Sequence, residues 1–158
     1  NYWCDSPWLL INDSIDAMKN VKPDPDFILW TGTDLNLATI QNITSKLQES
    51  FPGTVTYATL GNNDYYPKDQ FPTTTNKLYV GVSIMWSDWL KETDQIQSMK
   101  RVGYYSLKTK HGLRIFGLNT NHFYSANKMT ANLTDPAGQL TWLDQQLTAA
   151  KSNNEKVS

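Results

Sequence analysis

Phe27-Ile28-Leu29-Trp30-Thr31-Gly32 and Val55-Thr56-Tyr57-Ala58-Thr59-Leu60-Gly61 decide the fold. Each is a short run of apolar and β-forming residues that ends at a glycine turn, as buried parallel strands do. Between them Leu37, Ile40, Ile43 and Leu47 recur at helical spacing. The pattern predicts a helix from Asp34 to Ser50, capped by Asp34 and ended by Pro52-Gly53. Strand, helix, strand in this order is a βαβ unit.

Outward from that unit, Ser6-Pro7 reads as a hydroxyl cap followed by a first-turn proline. Trp8, Ile11, Ile15 and Met18 follow as the inward stripe of a helix. After Asp64, a polar linker with Pro67, Pro72 and Thr73-Thr74-Thr75 leads to helices carrying Leu78, Val82, Met85, Trp86 and Trp89, then Ile96 and Met99. Tyr104–Leu107 and Leu113–Leu118 flank Lys110-His111-Gly112, the pattern of a hairpin. Asp135-Pro136 opens a last helix, with Leu140, Leu143 and Leu147 inward. Glu155-Lys156-Val157-Ser158 lies where a further strand is expected to begin. The expectation is one unfinished α/β layered domain.

The 158 residues carry 14 Lys and Arg against 15 Asp and Glu, a formal net charge of −1. That balance gives no global drive toward nucleic acid or an anionic membrane. With 39% hydrophobic and 18% charged residues, neither a disordered acidic tail nor a coiled coil fits. No window reaches the apolar length of a membrane span. Three sequons, at Asn12, Asn42 and Asn132, favour a secreted or lysosomal glycoprotein. The chain opens at Asn1 rather than Met, which processing or truncation would explain. The single cysteine, Cys4, is then expected to form a disulfide with a partner outside this chain, the alternative being a buried free thiol.

Open α/β sheets bind ligands beyond the carboxyl ends of their strands. Those ends are Thr31-Gly32-Thr33-Asp34, Gly61-Asn62-Asn63-Asp64 and Asn119-Thr120-Asn121-His122. Amides and hydroxyls dominate them, and such groups hold transition metals weakly without His or Cys beside them. Of the two histidines, His111 reads as a solvent-facing hairpin residue. His122, at a strand end, is the fairer candidate of the two, though a structural histidine is the stronger reading. No phosphate-binding glycine loop, paired cysteines or nucleophile elbow occurs. The helical tryptophans read as core. Tyr65, with Tyr66, and Asp64 are candidates for lining the site.

One ordered set of motifs carries a resemblance. It comprises Cys4-Asp5-Ser6-Pro7, Asp26 to Gly32, Leu60-Gly61-Asn62 with Asp64, Asp69-Gln70-Phe71-Pro72, Leu118-Asn119-Thr120-Asn121, and Asp135-Pro136 with Gln139, Trp142 and Leu143. Together these resemble the acid sphingomyelinase-like phosphodiesterases, a branch of the calcineurin-like metallophosphoesterases, over nearly the whole chain. The resemblance implies residues 1–158 are the N-terminal half of one metallophosphoesterase-like domain, a layered sandwich with a mixed sheet flanked by helices. It also implies two zinc ions that activate water against a phosphodiester or nucleotide phosphate.

Departures from the family pattern fall on the chemical positions. The first Asp-x-His motif would precede Asn1, and the later Gly-His and Gly-His-x-His motifs would follow Ser158. Asp34 reads as a helix cap, with a displaced ligand as its alternative role. Asn62 is the remnant metal ligand, and Asn63 stands where the family has its catalytic His. An amide is no general acid near neutral pH. The chain alone is therefore expected to hold no cofactor and to be a pseudoenzyme acting in binding or assembly. Another protein chain or segment would complete its sheet. The rival expectation is a segment of an active zinc-dependent phosphodiesterase acting on a lipid or nucleotide, with the remaining ligands on other residues.

Overall fold

A computed structural model of the protein describes residues 6–32 and 36–158. The Cys4 pairing and both readings of Asp34 lie outside the described residues. In chain order the elements are α1 (Trp8–Val21), β1 (Ile28–Trp30), α2 (Leu37–Ser50), β2 (Thr56–Ala58), α3 (Lys77–Met85), α4 (Ser87–Leu90) and α5 (Thr93–Val102). Then come β3 (Tyr105–Lys108), β4 (Leu113–Gly117), α6 (Gln139–Ser152) and β5 (Lys156–Val157). Short 3-10 turns at Thr120–Phe123 and Pro136–Gly138 separate β4 from α6.

The βαβ unit forms as expected: β1 pairs parallel with β2, with Ile28 opposite Thr56 and Trp30 opposite Ala58. Ile40, Ile43 and Leu47 of α2 are buried against it. α2 starts at Leu37, and its cap is Asn36, whose side chain accepts from the Thr39 N–H at 3.2 Å. The hairpin also forms, β3 running antiparallel to β4. β5 then joins β4 in parallel at the position expected for a further strand. The result is an α/β fold with a two-stranded parallel sheet and a three-stranded mixed sheet, flanked by helices. The Tyr105 hydroxyl links the two sheets by donating to the Ala58 carbonyl at 2.9 Å. Above β1, Trp30 meets Trp86 edge to face at 5.8 Å, and the Trp86 indole donates to the Thr44 hydroxyl.

Several inward stripes differ from the sequence reading. Pro7, not Ser6, takes the cap position of α1 and makes no side-chain bond there. Ile15 is buried, whereas Trp8 and Met18 are exposed, because α1 packs chiefly on α2 and only a narrow stripe is covered. Leu29 is exposed as well: among the described residues β1 pairs with β2 alone. In α6, Leu140 and Leu147 point outward. Gln139 rotates the helix, since its amide accepts from the Asn119 N–H at 2.8 Å and donates to the Asn119 carbonyl at 3.3 Å. The covered residues are therefore Gln139, Trp142, Leu143, Gln146 and Ala150, with Trp142 packed on Tyr104.

At the carboxyl ends of β1 and β2 two glycines touch. Gly32 has φ +96°, and a Cβ there would lie 2.4 Å from the Gly61 nitrogen and 2.5 Å from its Cα. Gly32→Ala should cost on the order of 3 kcal/mol, since both the positive φ and the backbone clash resist it. Gly53→Ala, at φ +82° with nothing within 4 Å, should cost only about 1 kcal/mol. Urea unfolding of both variants measures the difference, and equal losses would refute the clash.

Acid should loosen the fold in two stages. His122 is buried, its Nδ1 has no hydrogen-bond partner among the described residues, and burial pushes its pKa below the ordinary 6.5. The ring is thus kept neutral, so the stability tied to it is present above about 6.5 and declines as pH falls from there. Glu155 sits under Arg114 and Lys108, which hold its carboxyl down from 4.5 to about 2. Its contribution is present above 4.5 and lost as pH falls through about 2. Unfolding free energies measured from pH 8 to 2 should show the first slope vanish in His122→Gln and the second in Glu155→Gln.

Candidate functional site

The strand ends converge on one open cleft of roughly 730 Å³. Thr31 comes from the end of β1, Gly61 and Asn62 from the loop after β2, and Thr120 and Asn121 from the turn after β4. These are the three segments the sequence placed at the rim. Phe116, Leu118, Phe123 and Tyr124 add an apolar side.

Buried amides hold the cleft wall. Asn121 donates to the Leu60 carbonyl and to the Asn119 side-chain oxygen, both at 3.0 Å. Asn119 in turn donates to the Tyr79 hydroxyl at 2.9 Å, and that hydroxyl donates to the Pro72 carbonyl at 2.8 Å. Asn127 donates to the Phe71 and Asn121 carbonyls. Burial raises the Tyr79 hydroxyl pKa, so this group remains a proton donor across the physiological range.

His122 belongs to that wall rather than to the cleft surface. It is 1% exposed, its Nε2 lies 3.0 Å from both the Pro72 carbonyl and the Tyr79 hydroxyl, and no charged group bears on it. Asp64 is also buried, its carboxylate accepting from the Gly61 N–H at 2.7 Å and thereby shaping the 61–64 turn. Tyr65 packs on Phe71 at 5.4 Å, Tyr66 is almost fully exposed, and neither lines this cleft. Asn62 does line it. Its side-chain amide donates to Asp69 at 3.0 Å, and its carbonyl accepts from the Asp69 N–H. Asn63 follows, half-buried. His111 lies on the hairpin, exposed, 3.0 Å from Asp26.

The sequon asparagines are spread over the surface. Asn42 and Asn132 are exposed, and Asn12 is half-buried with its amide on Asp16. The Thr44 hydroxyl of the second sequon is buried beneath Trp86. Phe116, Phe123 and Tyr124 were not legible as site residues. The only signal was an aromatic pair directly after the polar Asn119–His122 run.

The pair of zinc ions implied by the resemblance needs converging imidazole and carboxylate donors. The cleft presents amides, hydroxyls and aromatic rings. Among the described residues no three His, Cys, Asp or Glu side chains come together at a metal-binding distance. This donor set does not fit a dinuclear zinc centre. No helix among the described residues is long and apolar enough to cross a membrane.

Comparison with known proteins gives a consistent identity. No family profile matches the chain. Mouse acid sphingomyelinase-like phosphodiesterase 3b is 41% identical over 172 positions, covering 99% of this chain and 38% of the relative. Human cyclic GMP-AMP phosphodiesterase SMPDL3A is 40% identical over 98% of this chain and 37% of its own length. Sphingomyelinase phosphodiesterase C of Dictyostelium discoideum is 37% identical over 99% and 38%. Each alignment is longer than the chain, so each relative has residues without a counterpart here. The chain spans somewhat more than a third of these curated relatives and belongs to the acid sphingomyelinase-like phosphodiesterase family.

Proposed function

We propose that this chain binds a ligand in the inherited cleft without hydrolysing a phosphodiester, as a secreted or lysosomal glycoprotein acting in binding or assembly. The observation that carries this reading is the position of the two imidazoles. His122 is locked behind the cleft wall and His111 sits out on the hairpin, so neither histidine serves the cleft. Phosphodiester hydrolysis needs an activated water and an acid for the leaving oxygen. Asn63, where the resemblance places a histidine, supplies neither. The edge of β1 that no described strand pairs, and the exposed Leu29, support a partner chain or segment that completes the sheet.

With zinc added, the protein should not hydrolyse bis(p-nitrophenyl) phosphate above the metal-only rate. Asn63→His should leave that result unchanged, because a single imidazole builds no two-metal site. Zinc-dependent turnover by the wild-type chain would overturn the proposal.

The 37–38% coverage of the relatives favours a second reading, in which these residues are one segment of an active zinc-dependent phosphodiesterase. Its further ligands would lie on other residues. The intact mass of the native protein, reduced and deglycosylated, separates the two. A mass near 18.0 kDa excludes the second reading, and a substantially larger one supports it. The shift on deglycosylation reports how many of Asn12, Asn42 and Asn132 carry glycans.

A further inference from the structure

No charged side chain lines the cleft among the described residues. This departs from what the relatives' names describe, since a phosphodiester is an anion. Bringing an anion into a partly apolar cleft without a cation to meet it is unfavourable. A neutral ligand carries no such penalty. Thr31, Asn62 and Thr120 are exposed and offer two hydroxyls and one amide. Hydroxyls and amides both donate and accept, so they match ligands whose own polar groups do the same.

The aromatic side narrows the class further. Phe123 and Tyr124, adjacent in sequence, line the cleft and are 43% and 48% exposed, and Phe116 adds a third ring. Exposed aromatic faces beside hydroxyls and amides suit a ligand that is flat and apolar on its face and rich in hydroxyls at its edge. A purely apolar ligand would strand the amides. A nucleotide would bring phosphates with no cation to meet them. A pyranose ring has an apolar C–H face and a hydroxylated rim, and roughly 730 Å³ accommodates more than one such ring.

We infer that the cleft is a binding site for a neutral carbohydrate, stacked on Phe123 and Tyr124 and hydrogen-bonded by Thr31, Asn62 and Thr120. This rests on reading the cleft as a site of binding without turnover.

Saturation-transfer NMR tests the inference on the whole protein in EDTA, with phosphodiester hydrolysis assayed separately with zinc. The probes are the methyl glycosides of glucose, galactose, mannose and N-acetylglucosamine, the 6-phosphates of the same sugars, and adenosine. At least one neutral glycoside should bind with a Kd of about 1–10 mM, and its 6-phosphate should bind about tenfold more weakly. Tyr124→Ala should weaken binding about tenfold, while Tyr124→Phe, which keeps the ring face, should preserve it. Urea unfolding confirms that both variants fold. No binding by any glycoside at about 10 mM, tighter binding of the phosphates, or a preference for adenosine overturns the inference. Turnover with zinc would instead overturn the proposed function, so the two failures are distinguishable.

Discussion

The cleft depends on one constraint: the buried amides that tie the turn after β4 to its neighbours. Asn121 reaches the Leu60 carbonyl, Asn119 reaches Tyr79 and Gln139, and Asn127 reaches Phe71. Each bond satisfies a backbone or side-chain group that would otherwise be buried without a partner, at a cost of about 1–3 kcal/mol. Because the partners lie on the loop after β2, on α3, on α6 and on the Pro72 loop, losing one amide frees more than one segment. The network fixes the wall of the cleft but leaves its surface chemistry open to change. Polar cores of this kind act as units, since partial satisfaction is worse than none.

That separation explains how the family scaffold and its chemistry can diverge. Identity near 40% runs along essentially the whole chain. The end of β2 and the Asn119-Thr120-Asn121 turn are held by buried hydrogen bonds. These residues are constrained by packing and hydrogen bonding whether or not a reaction occurs. A catalytic histidine has no such second duty. The 61–64 turn is held by the Asp64 carboxylate on the Gly61 N–H, a bond that does not depend on which side chain stands at position 63.

Legibility in the sequence followed the same division. The βαβ unit, the hairpin and β5 were readable because their apolar periods and glycine turns act locally. The orientation of α6 was not readable. Leu140, Leu143 and Leu147 form a plausible apolar stripe, yet Gln139 sets the helix rotation through bonds to Asn119, 20 residues earlier. The Asn36 cap of α2 was not readable either, because several polar residues precede the helix and only backbone geometry chooses among them. At the site, the three polar rim segments were legible from topology. Phe123 and Tyr124 were not, since nothing local distinguishes an aromatic facing a cleft from one facing the core.

The charge balance of the cleft bears on what selection could preserve there. In a two-metal phosphodiesterase the cations stabilise the anionic substrate, so the surrounding side chains need not be basic. On the proposed reading of binding without turnover, the described residues of the cleft offer an anion no cation, while its hydroxyls, amides and rings remain. Regaining phosphodiester affinity would then require new cations within the cleft, and Asn62 is already held by Asp69, a carboxylate beside the rim. That carboxylate repels an incoming phosphate and leaves a neutral polyol unaffected. The least change from such a site is toward neutral ligands, with the aromatic side supplying contact area and the rim amides supplying orientation.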